Sequence, residues 1–285
     1  MKLKLMEIGQ NFMTLKTRNN TNDTITNQKL SIQISLSGLS FCVLNTITNT
    51  ISSIEYISFN KKVNPFEALE RLIHFFDTKP YLQDKFDDIL VIHENDLSTL
   101  VPKPLFNEDY LADYLKFNSK ILKSDYISYD TLSNNESVNV YVPYVNINNY
   151  IYEAFGEFTF KHFSTILIEK LLYKDTDSKS TKTYIHIGEQ HFEIVAVDNG
   201  KLMLYNTFEY SNAEDFIYYI LFTLEQLNYD PEKIDTVLIG NISKEHILYK
   251  IAYKYIRNIS IEKLGKELTN DSESNHSNHI IVNSF

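Results

Sequence analysis

The stretch TYIHIGEQHFEIVAVDNGKLMLYNTF, residues 183–208, carries the residues whose types and spacing come nearest to chemistry. His186 and Gly188 stand where an apolar run gives way to polar residues. A loop that grips phosphate needs backbone N–H groups at close range, and glycine permits that approach. It also needs a carboxylate to hold metal waters, and histidine occupies that place. His186 and His191 could suggest a metal pair. Read as lying on one strand, they face opposite sides, so shared ligation is not expected. His186 and His93 are instead expected to be satisfied strand-end histidines. His276 and His279, in SNHSNH, have metal-like spacing but sit in a polar tail. Cys42 is the single cysteine, which excludes an intramolecular disulfide and a thiol metal cluster. Its place in SFCVLN reads as a buried core thiol. No G-x-S-x-G, P-loop, H-E-x-x-H or paired-cysteine motif occurs.

Composition narrows the function classes further. The chain has 285 residues, enough for one large domain or two lobes, and its 43% hydrophobic content is ordinary for a globular protein. A net charge of −10 with scattered lysines argues against a duplex nucleic-acid binder, which needs clustered Lys and Arg. Glycine is scarce, at seven residues, and that matters for any phosphate loop. The N-terminus MKLKLMEIGQNFM lacks the apolar core and cleavage site of a signal peptide. No apolar run approaches the ~20 residues of a membrane span. The expected setting is the cytoplasm. The abundant tyrosines, concentrated in YVPYVNINNYIY (141–152), read first as core packing and second as a partner surface.

The elements that must position these residues occur twice. LSIQISLSGLSFCVLN (30–45) and ISSIEYISF (51–59) read as strands, and NPFEALERLIHFF as a helix capped by Asn64 with Pro65 at its first position. Phe66, Leu69, Ile73 and Phe76 are expected to form its buried stripe. DDILVIHEN (87–95) reads as a short buried strand. In the second half, 183–198 reads as a strand turning at Asn199-Gly200, the strongest short hairpin signal. KLMLYNTFEY returns, Ser211 and Glu214 form a capping box, and a helix carries Phe216, Tyr219, Ile220, Thr223, Leu224 and Leu227. IDTVLIGNI (234–242) matches 87–95, and a last helix is expected from about Ser243 to Arg257. In this alignment Ser35 falls opposite His186, Ser37 opposite Gly188 and Phe41 opposite Phe192. Between the copies, 102–118 and 146–156 read as helices and 137–144 as a strand. The run KDTDSKSTK (174–182) reads as a solvated connection open to proteolysis.

Two copies of a hairpin-led unit joined through helices resemble the actin-like ATPase superfamily, a ribonuclease H-like duplicated fold. The segments PKPLFNEDYLADYLKFN, VPYVNINNYIYEAFGEFTFKHFSTILIEKLL and YIHIGEQHFEIVAVDNGKLMLYNTFEY are similar to an uncharacterised family of the Bacteroidota, DUF3822. The resemblance covers about residues 28–285. It implies an α/β protein of two lobes with mixed five-stranded sheets, flanking helices and a cleft between the lobes. The expected division is a partly flexible segment 1–28, a first lobe 29–135 and a second lobe 136–285.

In active members of the superfamily, two Asp-x-Gly loops grip the phosphates and Mg²⁺, and a Gly-Gly turn holds the adenosine. Carried onto this chain, the first loop reads Ser35-Leu36-Ser37 with Gly38 following, and lacks the acid. The second reads His186-Ile187-Gly188, with the glycine kept and the acid lost. The adenosine turn reads Ile239-Gly240-Asn241, with one glycine. Ser35, Ser37, Gly38, His186, Gly188, Gly240 and Asn241 are thus the positions of a degenerate nucleotide cleft. Glu94 and Glu189 stand nearby, but alternation along a strand aims neighbouring side chains apart. The resemblance implies no catalytic residue, no metal and no bound cofactor. It implies a pseudo-ATPase that acts as an interaction or scaffold protein through a protein partner or a second copy, on the analogy of PilM. The alternative is an ATP–Mg-binding switch or phosphotransferase with an atypical site. A ribonuclease-H-like nuclease, which needs a carboxylate cluster at the same strand ends, is disfavoured by Ser35 and His186.

Overall fold

A computed structural model of the chain describes residues 26–240, 242–262, 279–282 and 284–285. Contacts divide these into two compact units, the first taking in residues up to Leu132, Glu136–Ile166 and 284–285, and the second Ser133–Asn135 and Leu167–Asn283. The expected boundary between 135 and 136 therefore moves. Residues 136–166 belong with the first unit because their strands complete its sheets. Nearly all of the expected segment 1–28 lies outside the described residues. Thr26 and Asn27 are described, and both donate backbone N–H groups to the Asp87 carboxylate at 2.9 and 2.8 Å.

The first unit opens with β1 (Gln28–Ile34), β2 (Gly38–Asn45) and β3 (Thr50–Ser58), an antiparallel meander. Helix α1 (Pro65–Thr78) follows, and then β4 (Asp88–His93) pairs parallel to β1. An excursion next builds a separate three-stranded sheet. It consists of β5 (Ser98–Pro102), α2 (Leu111–Leu115), β6 (Ser128–Thr131) and β7 (Ser137–Tyr141), in the order β5-β7-β6. Helix α3 (Val145–Phe155) then leads to β8 (Thr159–His162), which pairs parallel to β4 and closes a sheet of order β3-β2-β1-β4-β8. Helix α4 (Phe163–Lys174) carries the chain into the second unit.

The second unit repeats the plan without the excursion. β9 (Thr181–Ile187), β10 (His191–Asp198) and β11 (Lys201–Glu209) form the meander, followed by α5 (Ala213–Gln226) and β12 (Asp235–Gly240). Helix α6 (Ile247–Tyr255) and β13 (Asn258–Ile261) complete a sheet of order β11-β10-β9-β12-β13. The correspondence reaches single residues. Each meander carries a register shift at the same place, between Val43 and Leu44 in one copy and between Ala196 and Val197 in the other. The Asn199-Gly200 turn forms as expected, with both residues at positive φ, 49° and 72°.

The cores follow from the patterning. Leu30, Ile32 and Ile34 from β1 meet Leu72 and Phe76 of α1, and Ile185, Ile187 and Ile194 meet Phe216, Ile220 and Leu224 of α5. Each such side chain contributes about 1.5–3 kcal/mol by leaving water. Two details of the expected helices change. The buried face of α1 is Ala68, Leu72, Phe75 and Phe76, while Phe66 lies 75% exposed. The cap of α5 is Asn212, which accepts from Asp215 N–H at 2.8 Å, one residue beyond the expected Ser211. The expected helix 102–118 shrinks to α2 behind two 3-10 turns, because Pro102 and Pro104 break its start and Asn107 caps a turn. The run 174–182 is also less solvated than expected. Buried Asp175 accepts from Tyr184 Oη and Lys182 Nζ, each at 2.7 Å. Among the described residues no helix is long and apolar enough to cross a membrane.

Candidate functional site

The positions expected to handle phosphate lie at the strand-end turns, between β1 and β2 and between β9 and β10. The two turns share one frame: Ser35 N–H donates to the Gly38 carbonyl at 3.0 Å, and Gly188 N–H to the His191 carbonyl at 2.9 Å. Across the ladders Gln33 faces Ser40 and His186 faces Glu193, while Ile34 faces Leu39 and Ile187 faces Phe192. The structure therefore corrects the expected alignment by two residues. Gln33, not Ser35, is the counterpart of His186; Ser35 is that of Gly188, and Leu39 that of Phe192. A slip of two preserves the in–out alternation, so hydrophobic pattern alone cannot detect it. Only the turn and the parallel ladder to the fourth strand fix it.

In the first unit the turn is closed on itself. Ser35 Oγ accepts from Ser37 N–H at 3.2 Å and Gly38 N–H at 3.0 Å, and lies 3.0 Å from Ser37 Oγ. The backbone donors that would meet a phosphate are directed at a hydroxyl of their own loop. Gln33 is 8% exposed, and its Nε2 donates to Glu94 Oε2 at 2.8 Å. Glu94, just past β4, thus reaches the same spot as the Gln33 side chain, against the expectation that alternation would aim it away. Gly38 is required for another reason. A Cβ there would lie 2.6 Å from the Ile57 carbonyl oxygen, so the glycine lets β2 and β3 close.

In the second unit the acidic group is supplied from across the ladder. Glu193, 2% exposed, accepts from His186 Nδ1 at 2.8 Å and from His191 Nε2 at 3.1 Å. The two histidines are not on one strand, as first read. The turn at 188–190 puts them on β9 and β10, where they share a carboxylate. Burial pushes the Glu193 carboxyl up. The His191 charge, hydrogen bonds from both histidines and the His186 charge outweigh burial and bring it down to about 2. The ionised carboxylate accepts only, so each histidine presents an N–H to it. Tyr210 Oη closes the turn by donating to the Gly188 carbonyl at 3.2 Å. Gly240 has φ +105°, and a Cβ there would lie 2.5 Å from the Ile187 oxygen, so only glycine fits against β9. Asn241 and the His276–His279 pair lie outside the described residues, apart from His279 itself. Among the described residues no group of three or more His, Cys, Asp or Glu side chains is arranged to hold a metal ion.

His93 ends β4 fully buried. Its Nε2–H donates to Asn148 Oδ1 at 2.9 Å and its Nδ1 accepts from Tyr144 N–H at 3.3 Å. Burial lowers its pKa to about 3, against the Asn148 hydrogen bond and with help from the His162 charge, so the ring is neutral. Sequence reasoning missed a second buried centre. Asp130 on β6 accepts from His162 N–H at 2.8 Å, Thr165 Oγ1 at 2.7 Å and Tyr141 Oη at 3.1 Å. Burial raises its pKa to about 6 although those hydrogen bonds and the Lys161 charge pull it down. Asn139 Nδ2 adds bonds to Ser164 and Thr165 Oγ at 2.9 Å each. The network ties the three-stranded sheet to the start of α4. A polar residue at every second position of SYDT and SVNVY was its only trace in the sequence.

The comparisons with known proteins agree with this frame. A structure from Bacteroides thetaiotaomicron, described as a protein with actin-like ATPase fold and unknown function, superposes with a TM-score of 0.75 at 24% identity. That match covers 83% of this chain and 91% of that one. The PilM–PilN type IV pilus biogenesis complex matches with a TM-score of 0.55 at 11% identity, over 90% of this chain and 96% of that one. These likenesses show the fold, which is that of the actin-like ATPases: a duplicated α/β plan with two mixed five-stranded sheets and flanking helices. No curated protein matches. The sequence profile described as "Protein of unknown function (DUF3822)" matches residues 17–259, and the chain belongs to that family.

Proposed function

We propose that this chain is a non-catalytic member of the actin-like fold, a pseudo-ATPase that works in the cytoplasm as an interaction or scaffold component. The observation that carries the reading is the self-closure of both strand-end turns. Ser37 and Gly38 N–H groups are taken by Ser35 Oγ, and His186 is held by Glu193. Phosphoryl transfer depends on oriented donors and a metal more than on covalent chemistry, so a turn that satisfies its own donors gives up most of the rate. PilM, solved in a complex with PilN, supplies an analogy for an actin-like protein that works through a partner.

The test is isothermal titration with Mg-ATP, paired with a phosphate-release assay. The expected outcome is no saturable heat up to millimolar nucleotide and no phosphate release above buffer. Micromolar binding with measurable turnover overturns the reading in favour of an ATP-dependent switch or phosphotransferase.

A further inference from the structure

Helices α5 and α6 pack side by side in the second unit, and the faces they turn to water carry opposite charge. On α5, Glu214, Tyr218, Phe222 and Glu225 are exposed and, at spacings i, i+4, i+8 and i+11, lie along one line of the helix. The helix bears Glu214, Asp215 and Glu225 and no Lys or Arg. On α6, exposed Lys250 and Lys254, with Arg257 just beyond its end, make a second line, and no acid occurs between Ile247 and Arg257. Each helix adds a stacked aromatic pair one turn apart, Tyr218 on Phe222 with centroids 6.2 Å apart and Tyr249 on Tyr253 at 5.8 Å. Tyr218 and Phe222 end a run of rings that starts in the core, from Phe192 to Phe208 at 5.5 Å, on to Tyr219 at 4.9 Å and to Tyr218 at 5.4 Å. That support holds the two exposed rings in place, so contact costs little further ordering.

The first unit serves as the control. Its helices in the same places, α1 and α3, have neither row: α1 mixes Glu67, Glu70, Arg71 and Asp77, and α3 bears a single charge, Glu153. The caps Asn64 and Asn212 align Glu70 and His74 with Tyr218 and Phe222. The fold alone therefore does not require the paired rows. Among the described residues Glu214, Glu225, Lys250, Lys254 and Arg257 have no ion-pair partner, although the two helices pack together. An anionic lipid surface or a nucleic acid matches the α6 row and is repelled by the α5 row. An acidic peptide leaves α5 and its rings uncovered. A second copy matches both rows. A two-fold axis standing between the helices, perpendicular to their shared face, lays α5 of each copy on α6 of the other. Each acidic row then meets a basic one and the exposed rings are covered. We infer that the face built by α5 and α6 joins two copies of this chain in an isologous dimer, acidic row against basic row. The inference rests on the interaction reading above and names its surface and its partner.

The test is light scattering and sedimentation of the full chain, up to about 100 μM, in about 50 mM and about 500 mM NaCl. The expected result is a dimer whose midpoint concentration rises severalfold in the higher salt. One variant reverses the α5 row, Glu214→Lys with Glu225→Lys, and a second reverses the α6 row, Lys250→Glu with Lys254→Glu. Each alone is expected to weaken self-association at least tenfold, since like rows then face each other. Mixed in equal amounts the two restore a dimer, because a largely basic face meets a largely acidic one. All four side chains are exposed, and circular dichroism with a thermal midpoint checks that each variant folds. Should either fail to fold, Phe222→Ser alone must weaken the dimer tenfold. A monomeric wild-type chain, a dimer unmoved by salt, a dimer that either reversed variant keeps, or a mixture that stays monomeric overturns the proposal. So does a monomer that floats with phosphatidylserine vesicles through its α6 row, since a lipid surface would then be the occupant. These outcomes leave the Mg-ATP result untouched, and nucleotide turnover would sink the pseudo-ATPase reading without moving the dimer data.

Discussion

Glu193 is the residue on which the second strand-end turn depends. Its pKa of about 2 lies below the ordinary 4.5, so its contribution to stability is complete above pH 4.5 and is lost as pH falls toward 2. Glu193→Gln should remove most of that acid limb. Denaturant midpoints measured from pH 7 to pH 2 should fall less steeply in the variant, which also starts lower at pH 7 because a buried histidine loses its acceptor. A parallel acid limb in both proteins would show that the two histidines are not held as described. Gly240→Ala tests the neighbouring strand end. The added methyl meets a carbonyl at 2.5 Å on a backbone at positive φ, and a loss of about 2–4 kcal/mol is expected in chemical denaturation. That the aligned positions themselves carry no acid was legible in the sequence, since the alignment slip exchanged Ser35 for Gln33 and neither is acidic, but carboxylates reach both strand ends from Glu94 and Glu193. The Glu193 carboxylate was not legible. It arrives from a cross-strand neighbour, and a turn at 188–190 was needed to see that β9 and β10 are separate.

At the scale of elements, the caps carried the clearest signals. Asn64 accepts from Phe66 and Glu67 N–H at 2.9 and 3.0 Å, and Asn212 plays the same part for α5. Asn64→Ala and Asn212→Ala should each cost about 1 kcal/mol in denaturant unfolding, whereas Ser211→Ala, at the cap first expected, should cost much less. An equal cost at Ser211 would contradict the cap assignment. The helix stripes were readable in period but not always in phase. Phe66 follows Pro65 in the first turn and faces water, and the burial falls on Ala68 and Leu72. The three-stranded sheet was the hardest element to foresee. Its strands span four or five residues, too short for periodicity to separate them from loop, and its helix occupies only Leu111–Leu115.

At the scale of the whole chain, element order revealed the duplication while residue identity did not. Both meanders share a bulge, both fourth strands run parallel to the first, and both fifth strands follow a helix. The one large departure, residues 94–144, leaves and returns at a single point. Tyr144 donates its N–H to His93 and its hydroxyl to the Glu94 carbonyl, 3.0 Å away, and Asn95 Nδ2 reaches the Val142 carbonyl at 2.9 Å. The slot between fourth strand and crossover helix is therefore a natural graft point, where chain can be added without disturbing a ladder. The same slot in the second unit is the exposed stretch 243–246, just before α6. A small folded reporter domain spliced in at Lys244 should leave the unfolding midpoint almost unchanged, since each doubling of a loop costs only about 0.6 kcal/mol. The same domain placed in the Asn199-Gly200 turn should lower it clearly. Thermal melts of the two fusions check this, and equal losses would refute it. For protein engineering, the duplicated frame then acts as a chassis with two sockets, of which nature has filled one.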